Sequence, residues 1–135
     1  MKGIKTHGYV RIKKYIDCIR NGGIKPNGNI EIVSDSPSWS VVDGCGGLGI
    51  IIACKAVDLV IRKAKETGVG IVNVRNSHHL GPVGYYAAKC ADAKMFGMSM
   101  SNGDVMLAAT GSREKNIGNN SFAYVCCRSL RLCHY

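Results

Sequence analysis

The sequence predicts an α/β fold, and three observations carry that expectation. Helical apolar spacing alternates with strand-like runs along the chain. A long amphipathic stretch over 48–66 passes through Gly68 into the continuous apolar run Val69 to Val74. From there the order is strand, loop, helix, strand, the pattern of a βαβ unit in which a helix carries the chain between parallel strands. With 135 residues, 46% of them hydrophobic, there is material for one core and no room for two ordinary domains.

Each element has its own signal. A helix over 8–20 places Ile12, Tyr15, Ile16 and Ile19 on one face and stops at Asn21-Gly22-Gly23, where glycine favours a C-terminal cap. Ile30 to Val33 and Trp39 to Val42 read as short strands around the Ser34-Asp35-Ser36-Pro37-Ser38 turn. The helix over 48–66 is expected to bury Ala53, Val57, Val60, Ile61 and Ala64 and to end at Gly68. Val69 to Val74 then reads as a fully buried strand that delivers a loop at Ser77 to Gly81. Pro82 suits a first helical turn, and Tyr86, Ala87, Cys90 and Ala91 form an apolar stripe reaching about Lys94. Phe96 to Ser101 is the next strand. The loop of Ser77 to Gly81 would lie at a strand's carboxyl end, where such sheets place ligands.

Two histidine segments carry the chemistry. Thr6-His7-Gly8 with Arg11, and Ser77-His78-His79-Leu80-Gly81, hold three of the chain's four histidines, each beside hydroxyl and glycine residues. Imidazole changes protonation near neutral pH, and glycine lets backbone approach a ligand closely. In a helix beginning near His7, Arg11 lies one turn further along the same face, so a proton-transfer group and an anion-binding fork point together. That pairing suits a 2-hydroxy or 2-oxo acid, whose carboxylate needs a guanidinium and whose oxygen needs an acid or base within reach. Taken alone, a histidine beside glycine is more often a cap or a satisfied loop residue.

Gly44-Cys45-Gly46-Gly47-Leu48-Gly49 also fits G-x-G-x-x-G, after a possible strand and before a long helix. As a dinucleotide loop it would put Arg75, a basic residue, near the end of the second strand, favouring a 2′-phosphate. As a packing element the glycines would serve a tight turn and close helix approach, with Asp43 or Gly44 as a cap.

Other classes are disfavoured. The seven cysteines include no C-x-x-C pair and are odd in number, so neither a disulfide framework nor a zinc site is expected. No apolar run reaches the ~18 residues of a membrane span, and no apolar segment follows the N-terminal lysines as in a leader. The expectation is a soluble, cytoplasmic chain. A net charge of +9 invites nucleic acid, but the basic residues are scattered and no aromatic-interleaved stripe occurs. A basic nucleic-acid module is the remote alternative.

In order along the chain, Gly3-Ile4-x-Thr6-His7-Gly8-x-x-Arg11-x-x-x-Tyr15, Asn21 to Pro26, Val42-Asp43-Gly44, Ala64 to Gly70, Ser77 to Gly81 with Gly84-Tyr85-Tyr86-Ala87, Ser101-Asn102 and Gly118-Asn119-Asn120 resemble the type-2 malate/L-lactate dehydrogenases. That family includes ureidoglycolate, sulfolactate and diketogulonate oxidoreductases. Collinear matches of this extent are more specific than any single motif. The resemblance implies a non-Rossmann nicotinamide-binding α/β fold, present in part, which favours the packing reading of the glycines.

The resemblance also implies roles. His7 corresponds to the proton donor or acceptor at the substrate oxygen, and His79 to a second histidine linked to acid/base work in some members. Arg11 reads as the carboxylate clamp, and Thr6 as orienting His7 or touching substrate. Tyr15 reads as half core and His78 as a loop spacer. Ser101, Asn102, Gly118 and Asn120 correspond to segments lining the cofactor and substrate cleft, although Asn119 and Ser121 replace the family's usual Thr and Pro. The cofactor implied is NAD or NADP, the substrate a small 2-hydroxy or 2-oxo acid, the assembly a homodimer, and no metal is expected.

Family members are longer, so an internal piece is expected, with residues 1–125 part of the family's domain. Residues 126–135 match nothing expected there and read as a tail derived by frameshift or splicing, leaving His134 without a role. The alternative to an active dehydrogenase is a remnant that keeps only packing or dimer surface.

Overall fold

The computed structural model describes residues 7–126. Thr6 and His134, and most of the expected tail, lie outside the described residues. The chain divides into two compact units, one ending at Pro82 and one beginning at Val83.

In the first unit, the expected N-terminal helix has two parts. A 3-10 turn at Tyr9–Arg11 leads into α1, Ile12–Arg20. Arg11 therefore closes the tighter turn, its N–H bonding Gly8 O at 3.0 Å. Asn21 to Pro26 then returns the chain to the sheet, where Lys25 N–H bonds Gly46 O at 2.9 Å and Ile24 is buried.

β1 (Glu31–Asp35) pairs antiparallel with β2 (Trp39–Gly47), and β2 pairs parallel with β3 (Ile71–Ser77). The long helix α2, Gly49–Thr67, makes the crossover. The βαβ unit is thus β2-α2-β3. The expected one built on the strand at 69–74 and the strand at 96–101 does not form, because these strands belong to different sheets.

Ser40, Val42 and Gly44 alternate as the buried face of β2, and α2 meets the sheet through Gly49, Ile52, Ala56, Leu59 and Lys63. The expected stripe was one residue out of phase: Ala53, Val57, Val60, Ile61 and Ala64 are only half-buried. The helical period is correct, but both registers are apolar here, and the one carrying a lysine packs inward. Lys63 reaches Asp35 and Ser36 O, both at 2.6 Å, while Ser40 Oγ donates to Asp35. These bonds, led by Lys63, hold the Asp35 carboxyl below its ordinary range.

Gly68 ends α2 as expected, at φ +84°, with its N–H on Ala64 O. β3 departs from its expected burial: nearly all of it is exposed, including Ile71. It is an edge strand of its three-stranded sheet, so the apolar run that resembles a central strand has a neighbour on one side only.

In the second unit α3, Val83–Asp92, packs Ala87 and Cys90 against β4, Gly97–Ser101, where an added Cβ on Gly97 would meet Ala87 O at 2.6 Å. β4 pairs antiparallel with β7, Ser121–Val125. Between them β5 (Val105–Ala108) and β6 (Lys115–Gly118) form a separate hairpin.

Candidate functional site

His79 leaves the carboxyl end of β3, and its position is set from both sides. Within the loop, Gly81 N–H points at His79 Nδ1 at 3.3 Å. From α1, the Tyr15 hydroxyl lies 2.7 Å from the same nitrogen. His7 stacks on His79, with ring centroids 5.5 Å apart and planes inclined by 21°. The Arg11 guanidinium acts electrostatically on Tyr15, opposing the larger effect of burial, which raises the phenol above its ordinary value. The fold therefore gathers His7, Arg11 and His79, as the motifs anticipate.

Tyr15 belongs to this group, which the sequence reading missed by placing it half in the core. The available signal was its spacing: it follows Arg11 by four residues, so both lie on one helical side.

Beneath the loop, Asp43 ties the sheet's end together. It does not cap α2, as expected; that helix begins after Leu48, which makes no side-chain cap bond. The carboxylate instead accepts Cys45 N–H at 2.7 Å, Arg75 Nε at 2.9 Å and Asn76 Nδ2 at 3.0 Å. These bonds, led by the Cys45 N–H, depress its pKa.

The glycine run has the packing role. Gly44 and Gly47 lie within β2, and a Cβ on Gly47 would stand 2.6 Å from Gly28 Cα. A Cβ on Gly49 would collide with the His78 carbonyl oxygen, so this glycine lets α2 start directly against the histidine loop.

In the second unit, the pairing of Ser101 with Ser121 brings the following and preceding residues to the same sheet end. Ser101, Asn102, Asn120 and Ser121, with Met100 and Phe122, line an open hollow of about 280 Å³. Asn120 Oδ1 accepts Gly103 N–H at 3.2 Å. Gly118 borders this group, its α-hydrogen side against Gly103 O.

A parallel β-α-β unit delivering a histidine loop at a strand's carboxyl end places the chain among ligand-binding α/β proteins. Comparison narrows that class: the malate/L-lactate dehydrogenase family profile matches residues 1–130, and the chain belongs to this family. A malate dehydrogenase of Pyrococcus abyssi is 44% identical over 123 residues, covering 91% of this chain and 34% of its own length. Among solved structures, malate dehydrogenase from Pyrococcus horikoshii matches with TM-score 0.89 at 40% identity, covering 93% of this chain and 36% of that one. Sulfolactate dehydrogenase from Methanocaldococcus jannaschii matches with TM-score 0.88 at 39% identity, over the same shares. The chain spans about a third of the length of these relatives. The partial α/β fold is thus the family's.

Proposed function

We propose that these residues serve an NAD- or NADP-dependent oxidoreductase acting on the CH–OH of a small 2-hydroxy acid, or reducing the matching 2-oxo acid. The observation that carries this is the meeting of His7, Tyr15 and His79, with Arg11 acting on Tyr15, in a member of a dehydrogenase family. Arg11 offers a fork for the carboxylate. His7 takes the hydroxyl proton as the C2–H bond breaks and the carbonyl forms; in reduction, protonated His7 returns it. The nicotinamide, when bound, supplies the acceptor for the hydride and its electron pair. Thr6, adjoining His7 in sequence, is assigned to the substrate side on the family motif alone.

Ser101, Asn102, Gly118 and Asn120 are proposed for the cofactor side. The hollow beside them fits part of a dinucleotide: its amides and hydroxyls can bond an amide or ribose, and Met100 and Phe122 offer apolar contact. Its 280 Å³ suits one half of such a ligand, since pockets for drug-sized molecules run from roughly 300 to 1,000 Å³. A homodimer and a cytoplasmic location complete the reading. Among the described residues no helix is long and apolar enough to cross a membrane.

The test is a nicotinamide fluorescence titration with NADH and NADPH, followed by turnover of malate, lactate and sulfolactate by the chain and by its His7→Ala variant. Loss of at least about 100-fold in turnover in the variant supports the assignment. Equal turnover in both removes His7 from the chemistry.

A further inference from the structure

We propose that Tyr15 is a positioning residue that holds His79 as its Nε2–H tautomer, making His79 a hydrogen-bond donor rather than a second base. The substrate it would donate to rests on the dehydrogenase reading; the tautomer does not.

The argument starts from what each group can do. Gly81 N–H can only donate, and it points at His79 Nδ1. Nδ1 must therefore carry its lone pair. The Tyr15 hydroxyl, 2.7 Å from the same nitrogen, can then only be a second donor. A neutral imidazole has one N–H, so it sits on Nε2. The opposite tautomer would set an Nδ1–H against the Gly81 N–H, donor to donor. Burial keeps Tyr15 in the protonated form that donates.

A donor at Nε2 can bond a carboxylate or the oxygen on which negative charge develops in carbonyl reduction. It cannot take the substrate's hydroxyl proton at that nitrogen, which already holds one. The two stacked histidines therefore divide the work, with His7 exchanging the proton and His79 stabilising charge. This departs from the family-based expectation that both serve as acid or base.

The test is side-chain ¹H–¹⁵N spectroscopy of the chain labelled at histidine, beside Tyr15→Phe, which removes one oxygen and leaves the ring in place. Expected is a His79 with bare Nδ1 and protonated Nε2. In Tyr15→Phe the tautomer ratio relaxes about fivefold toward that of free histidine, with backbone amide signals retained. A proton on Nδ1 in the parent chain, or an unchanged ratio in Tyr15→Phe, overturns the proposal. Neither readout needs substrate or cofactor, so absence of turnover with the expected tautomer would count against the dehydrogenase reading alone.

Discussion

The histidine cluster of the first unit and the strand-end hollow of the second are built by opposite means. The cluster depends on side chains distant in sequence: Tyr15 and His79 are 64 residues apart and meet through one hydroxyl. The hollow depends on main-chain register, since the pairing of Ser101 with Ser121 sets which residues line it. One kind of site fails through loss of a side chain, the other through a shift of a strand.

Close backbone packing supports both, and its removal has the largest expected effect. Gly49→Ala drives a methyl group into the His78 carbonyl, and neither α2 nor the loop can yield without losing register. We expect at least ~3 kcal/mol of destabilisation and displaced His78 to Gly81 amide signals. Gly97→Ala is the counterpart, its Cβ 2.5 Å from that of Cys90. It should cost a similar amount but shift β4 signals instead. Urea unfolding and amide spectra of the two variants check this; identical patterns of shifted signals would erase the distinction.

Next in size is Lys63→Ala. The lysine is 7% exposed and gives two charge-assisted bonds across the β1 turn. Their loss, with that of the packed stem, should cost about 2 kcal/mol in urea unfolding. An unchanged midpoint would mean that water replaces both bonds without cost.

A smaller effect is pH-dependent. Asp35 and Asp43 both have folded pKa values below the ordinary 3.8, so the unfolded chain takes up protons more readily. Their contribution is complete above about pH 5 and is lost as pH falls through 3.8 towards the folded values. Urea midpoints should hold steady down to about pH 5 and then fall, and less steeply in Asp35→Asn and Asp43→Asn. Equal slopes in all three chains would show that these carboxylates are not the groups responsible.

The same division explains what was legible in the sequence. His7, Arg11 and His79 stand in compact motifs with helix and loop signals beside them, so their meeting could be anticipated. Tyr15 could not be placed, because an apolar-bodied phenol at a helical position looks the same whether it faces a core or a histidine loop. The helices and most strand positions followed from periodicity. The inward register of α2 did not: it turns on Lys63 finding Asp35, a pairing 28 residues apart. The misplaced βαβ unit has a similar cause. Periodicity marks strands but not their partners, and the antiparallel pairing of β4 with β7 involves residues twenty or more positions downstream.

Asn120→Ala sharpens the comparison with the smallest expected effect on the fold. Its side chain is exposed and accepts one 3.2 Å bond from Gly103 N–H, so stability should change by no more than about 0.5 kcal/mol. Register is untouched, because β4 and β7 pair through main chain beyond that position. If the hollow holds part of a dinucleotide, losing one amide partner should weaken NADH or NADPH binding about fivefold in the fluorescence titration, a hydrogen bond's usual contribution. If affinity matches the parent chain while Met100→Ala and Ser101→Ala also leave it unchanged, the dinucleotide lies elsewhere. The hollow would then be a consequence of strand pairing alone.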